Sequence, residues 1–253
     1  MFSPLLAIAQ ECGNSDFKGV YGALAQGSFI VTPPGIPPGP TVRVGRVEVD
    51  GKGNASIKAT LSLAGVILDE EYGGNYTIGA DCTASVTLLI PFPGVPAPVP
   101  FKFAGVLSDE GRQQDIILVE PPGTTVRITL RKMRKPSCSA SDLAGAYMVN
   151  MSGFTLFQIG YPPGEFARVG RMEFDGKGAF TAATQASIGG RLVPEKIGGT
   201  YTVDSSCIFR LGFSNSLIPD RWVGMLTDGG TAAYVMTAAP AGAAVAGKMM
   251  QVQ

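Results

Sequence analysis

Val42-Arg43-Val44-Gly45-Arg46-Val47-Glu48-Val49-Asp50-Gly51-Lys52-Gly53 returns in part 125 positions on, as Val169-Gly170-Arg171-Met172-Glu173-Phe174-Asp175-Gly176-Lys177-Gly178. Each stretch alternates its side chains with period two, the signature of a β-strand. Each then runs into an Asp-Gly turn whose glycines accept positive φ, so the unit is a hairpin. The same offset carries Gly74, Tyr76, Thr77 and Cys82 onto Gly199, Tyr201, Thr202 and Cys207. Nearer each start, Cys12, Gly19 and Tyr21 map onto Cys138, Gly145 and Tyr147, one residue further on. Self-similarity at a fixed period marks a duplicated structural unit. It divides the 253 residues into a first repeat over 12–133, a linker at 134–137 and a second repeat over 138–253.

Working outward, helical periodicity is nearly absent. Gly, Pro or Asp-Gly instead cut the chain every 8–12 residues or so, with short runs of Val, Ile, Leu, Phe and Thr between, which predicts an all-β barrel or sandwich. The first repeat reads as strands over 19–31, 41–49, 55–64, 73–78, 84–90, 101–107, 115–120 and 124–132. The second reads as 145–159, 166–174, 179–186, 198–203, 208–213, 221–226, 231–238 and 243–251. Seven or eight strands joined mostly by short turns suit two tandem antiparallel barrels, whose closure removes exposed edges. Two β-sandwiches are the alternative. Proline-rich insertions at Thr32–Pro40 and Pro91–Pro100 decorate the first repeat, where they form stiff loops.

Composition bounds the chemistry. Twenty basic residues balance twenty acidic ones, so no net field draws in nucleic acid. The one dense basic run, Arg131–Lys135, falls at the junction between repeats and reads as a solvated linker. A mean hydropathy of +0.21 is too high for disorder. No run approaches the roughly 20 residues of a membrane-spanning helix. Histidine is absent, which removes Ser-His-Asp and Cys-His catalysis and nearly all zinc sites. No phosphate loop or dinucleotide fingerprint occurs, so no cofactor is expected. The Asp50–Asn54 turn offers one carboxylate, too few for calcium, and no metal site is expected.

Four cysteines allow three pairings. Each repeat owns one at its start and one about 70 residues later, which predicts Cys12–Cys82 and Cys138–Cys207. Structural disulfides imply an oxidising compartment, secreted or periplasmic. Residues 1–11 fit either the remnant of a signal peptide, with Ala7-Ile8-Ala9 as its cleavage site, or an apolar N-terminal strand.

Candidate site residues follow from the alternation. Arg46 and Glu48 share one strand face, as do Arg171 and Glu173, while Arg43, Gly45, Val47 and Val49 take the other. Near the turn the second face is the more apolar, so the Arg–Glu pairs should point outward or into a polar lumen. They read first as surface ion pairs, and secondly as groups that orient a polar substrate. Tyr76 and Tyr201 read first as packed rings with anchored hydroxyls, and secondly as oxyanion donors. Trp222, laid over Phe103, reads as core, with a ligand contact as the alternative.

The run Gly-x-Tyr, Val-Gly-Arg-x-x-x-Asp-Gly-Lys-Gly, Gly-x-Tyr-Thr and Cys resembles a repeat of secreted bacterial tandem β-barrel proteins. More distantly it is similar to small barrels of the calycin and allene-oxide-cyclase or dirigent kind. That resemblance covers both repeats and implies a shaped interior that holds an apolar molecule; no catalytic residue carries over. The leading expectation is a non-enzymatic protein binding an apolar small molecule or a partner surface. One alternative is a cofactor-free cyclase or isomerase using Tyr76, Tyr201, Glu48 or Glu173. The other is an envelope protein that self-associates.

Overall fold

The computed structural model describes residues 11–32, 36–156, 163–214, 221–239 and 241–252. The signal-peptide reading of residues 1–10, and parts of the loops at 33–35, 157–162 and 215–220, lie outside the described residues. The first repeat forms β1 (Lys18–Phe29), β2 (Gly39–Asp50), β3 (Asn54–Leu63), β4 (Val66–Ile78), β5 (Thr83–Ile90), β6 (Val99–Ser108), β7 (Gln113–Glu120) and β8 (Thr124–Lys132). The second forms β9 (Ala144–Thr155), β10 (Gly164–Asp175), β11 (Ala179–Ile188), β12 (Arg191–Val203), β13 (Ile208–Phe213), β14 (Arg221–Thr227), β15 (Ala232–Ala239) and β16 (Ala243–Gln251). Consecutive strands pair antiparallel, and the last of each set pairs with the first. The result is two closed eight-stranded barrels, and the sandwich alternative is set aside.

The Asp-Gly turns form as the sequence requires. Asp50 Oδ1 accepts the Lys52 and Asn54 backbone N–H groups at 2.7 and 3.0 Å. Asp175 Oδ1 accepts those of Lys177, Gly178 and Ala179 at 2.7, 2.9 and 2.9 Å. One difference from the sequence reading concerns β4 and β12, which begin at Val66 and Arg191 rather than at Gly73 and Gly198. Ala64-Gly65 and Gly189-Gly190 make two-residue hairpin turns with φ of 46° and 79°, and of 54° and 82°. The strands that follow carry charges on both faces, which conceals their alternation.

One end of each barrel is plugged. A 3-10 turn, Asn14–Asp16 in the first and Ala140–Leu143 in the second, brings buried Phe17 and Leu143 under the lumen. The disulfides Cys12–Cys82 and Cys138–Cys207 tie these plugs to the β4–β5 and β12–β13 turns. Closing loops of 70 and 69 residues is worth about 4 kcal/mol each in the chain-entropy treatment. Tyr21 and Tyr147 donate from inside to the Gly111 and Gly230 carbonyls, both at 2.6 Å.

The barrels pack side by side. Leu24, Val42 and Val44, which point out of the first barrel, join the apolar cluster of the second. Gly22 permits this approach, because a Cβ there would sit 2.5 Å from Thr227 Cγ2 and 3.1 Å from Met225 Cγ. The Gly242 N–H donates to Gly65 O at 2.6 Å, and the Ser62 hydroxyl to Ala243 O at 2.7 Å. The β3–β4 and β15–β16 turns therefore meet, and the unplugged ends of both barrels lie on one side of the molecule. Toward the plugged side, Arg46 donates to the Pro136 and Ser206 carbonyls, and Arg131 pairs with Asp228.

Gly22→Val is expected to cost about 1–3 kcal/mol through overpacking of this interface. Gly212→Ala, where only Thr200 Oγ1 comes near at 3.9 Å, should stay within about 0.5 kcal/mol of the parent. Calorimetric unfolding of both variants checks the contrast.

Candidate functional site

The pleat decides where each candidate residue goes. Arg46, Glu48, Arg171 and Glu173 point outward as paired residues, with Arg Nε to Glu Oε1 distances of 2.8 and 3.0 Å. Their surroundings differ. Arg46 is 13% exposed and donates from Nη1 to the linker and the second barrel. Arg171 is 61% exposed and, with Glu173, Thr181 and Lys196, borders an open depression of about 460 Å³ on the outer wall.

Tyr76 and Tyr201 point inward at the plugged ends. The Tyr76 hydroxyl donates to Phe17 O at 2.7 Å and accepts the Gly51 N–H at 2.9 Å. That of Tyr201 donates to Ala140 O at 3.2 Å. Trp222 is fully buried in the second lumen, 4.9 Å from the Phe213 ring, with the Arg168 guanidinium 5.1 Å above it. The structure therefore keeps the tyrosines and the Glu48 and Glu173 carboxylates on opposite sides of the barrel walls.

A second set of charges lies inside the lumens, and sequence reasoning did not assemble it. Arg168 Nε and Nη2 donate to Glu195 Oε2 and Oε1, both at 2.8 Å, and the Thr184 hydroxyl donates to Oε2 at 2.7 Å. In the first barrel Arg43 is bound to Glu70 and lies 5.6 Å from the Tyr72 ring centroid. The alternation did set Arg43 on the inward face. Its partner was missed because Glu70 and Glu195 occupy the strand halves that read as loop. Burial of a charge requires such a partner.

The first lumen keeps a cavity of about 40 Å³, walled by small residues such as Ala23, Ala25, Gly45 and Ala59 and bordered by Arg43, Tyr72 and Gln114. Among the described residues, larger hollows of about 460, 390 and 350 Å³ lie on outer walls and open to solvent. Among the described residues no cluster of three or more metal-ligating side chains occurs, and no helix is long and apolar enough to cross a membrane.

The two ends of the first barrel differ chemically. At the plugged end the turns hold Asp50, Lys52, Asp81, Asp109, Glu110 and Arg112. The connections β1–β2, β5–β6 and β7–β8 at the other end, with the residues that flank them, hold 12 of the chain's 19 prolines. The charge at that end is Glu120, paired with Lys102 at 2.8 Å. Ile30 and Val31 stand out from it at 67% and 64% exposure, near Pro121, Pro122 and Gly123, and Val66 and Leu89 are also exposed there.

No protein-family model matches the chain, and no curated protein matches it. The chain is weakly similar to several solved structures. Isotype 1 transferrin binding protein B from serogroup B Neisseria meningitidis is 8% identical over 94% of this chain and 76% of its own, with a TM-score of 0.34. The Burkholderia oklahomensis agglutinin is 9% identical over 97% and 98%, with a TM-score of 0.18. The Myxococcus xanthus hemagglutinin, in complex with a3,a6-mannopentaose, is 11% identical over 93% and 100%, with a TM-score of 0.18. Likenesses of this size carry no argument about activity, which rests on the chain's own geometry.

Two predictions follow from the buried groups. Glu195→Ala breaks the buried two-point pair with Arg168 and should cost about 3–5 kcal/mol, whereas Arg168→Met with Glu195→Leu should recover much of that loss; denaturant unfolding reads both. Burial raises the pKa of Tyr21, Tyr72, Tyr76, Tyr147, Tyr201 and Tyr234, that of Tyr147 to about 12. A raised phenol stabilises the fold below its ordinary value, and that stability is lost as pH rises through the folded value. One pH unit above the ordinary tyrosine value, absorbance titration should find Tyr21, Tyr72, Tyr147 and Tyr234 protonated in the folded protein and ionised in denaturant.

Proposed function

We propose that this is a secreted or periplasmic, non-enzymatic recognition protein that binds the apolar surface of a partner protein through the proline-rich end of its first barrel. The observation that carries the reading is the segregation of charge between the barrel's two ends. Contiguous exposed apolar surface on a soluble domain marks an interaction site. Stiff proline-rich loops lose little conformational freedom on binding, which lowers the cost of association. The two disulfides fit an oxidising compartment.

A protein partner suits this end better than a lipid surface. It lacks the Lys and Arg cluster that anionic lipid attracts, and its described residues include no Trp or Tyr for a membrane interface. The carrier and cyclase alternatives, and the ligand-holding interior implied by calycin-like and allene-oxide-cyclase-like barrels, need a pocket of about 300 Å³ or more. The first lumen offers about 40 Å³.

Photocrosslinkers at Leu89 and Val66, with Lys52 and Asp175 as controls, test the proposal in the native extracytoplasmic fraction. The expected result is a discrete protein adduct from the Leu89 and Val66 positions, lost when Ile30→Asp and Val31→Asp are added. Adducts from Lys52 and Asp175 that equal or exceed them, or insensitivity to the Asp substitutions, would overturn it.

A further inference from the structure

The duplication supplies an internal control for the lumens. Barrel register places Ala25 opposite Arg43 and Met151 opposite Arg168, so these two residues are equivalent. In the same way Val49 corresponds to Phe174, Ala55 to Phe180 and Leu88 to Phe213. At each of the four the first barrel carries the smaller side chain, and its cavity of about 40 Å³ lies among these positions. One water requires roughly 10–15 Å³ on this measure, so the space holds about three.

A polar group borders this space. Gln114, 1% exposed, lines the cavity, and its Nε2 has no hydrogen-bond partner among the described residues. It pairs with Leu130 on β8, as Ala233 pairs with Met249 on β16, so the second barrel has alanine where the first has an amide. A buried amide donor left unpaired is costly, and natural structures satisfy it with protein or with an ordered guest. Arg43, the other polar group on the cavity wall besides the Tyr hydroxyls, is already bound to Glu70.

We propose that the lumen of the first barrel is a binding site for a small neutral molecule with an oxygen acceptor, which takes the hydrogen bond of Gln114 Nε2. The space, about that of three waters, limits the guest to a few heavy atoms. Ordered water and a small organic carbonyl share the required chemistry. The apolar walls exclude a charged guest, because burying an unpaired ion here would have no compensation. The site is independent of the proline-rich end and stands or falls separately from it.

Nuclear magnetic resonance on the full, oxidised chain tests this, with water and acetone as probes. Gln114→Leu identifies the Gln114 side-chain amide signal by its disappearance. The expected result is a contact between that amide and a long-lived water, together with loss of the contact in Ala25→Met/Ala55→Phe, which imports the larger residues of the second barrel. Ala25→Met alone serves if the double variant does not fold. Saturable acetone shifts confined to the lumen would show that organic acceptors enter, while their absence beside the water contact would identify water as the guest. A native fold with neither water contact nor acetone shift at Gln114 would overturn the proposal, as would signals unchanged in the filled variants.

Discussion

Closing eight strands on themselves fixes the size of a lumen before any side chain is chosen, and the rest of this protein answers that constraint. Every second residue of every strand must go inside. Apolar residues fill most of the space, as in Val47, Ile57, Phe103 and Ile116 of the first barrel. Any charge sent inside must bring its counter-charge, as Arg168 does with Glu195 and Arg43 with Glu70. The open ends must be stopped, which Phe17 and Leu143 do at one end under disulfide tethers. Tyrosines complete that stopper. Their rings pack in the lumen while their hydroxyls satisfy backbone carbonyls of the plug and turns.

Much of this fold was legible in the sequence because its signals are local or duplicated. The Asp-Gly turns, the cysteine pairing and most strand positions rest on residue types a few places apart, or on one repeat read against the other. What was not legible depends on partners distant in the chain. Asp69-Glu70-Glu71 and Pro194-Glu195-Lys196 read as loop because a charged run offers no alternation. Only a closed barrel shows that Glu70 and Glu195 each meet an arginine 27 residues earlier. Parity set each Arg–Glu pair on one face and left open whether that face looked outward or into a polar lumen, and nothing local told Arg46, bound to the second barrel, from Arg171, open to solvent.

The two copies have diverged within one architecture. The second packs its interior with methionine and large aromatic residues, and its outward residues Val223, Met225 and Thr227 on β14 are buried. It acts as a dense wall against which the first barrel leans. The first keeps smaller residues at four interior positions around its cavity, an amide on the cavity wall and nearly all the proline-rich connections. Specialisation thus falls on the first copy, both in its lumen and at its unplugged end, while shared features such as plugs, disulfides and Asp-Gly turns maintain the scaffold.

The central claim is that the first barrel's interior, among the described residues, is too full to carry a drug-sized ligand, so that its function lies on the surface. Mass spectrometry of the natively purified, oxidised protein, under native and then denaturing conditions, tests it most directly. The account predicts a chain four hydrogens lighter than its reduced form, as two disulfides require, with no drug-sized organic molecule released on denaturation. Stoichiometric release of such a molecule bound in the first barrel would contradict it, because a lumen of about 40 Å³ has no room for one.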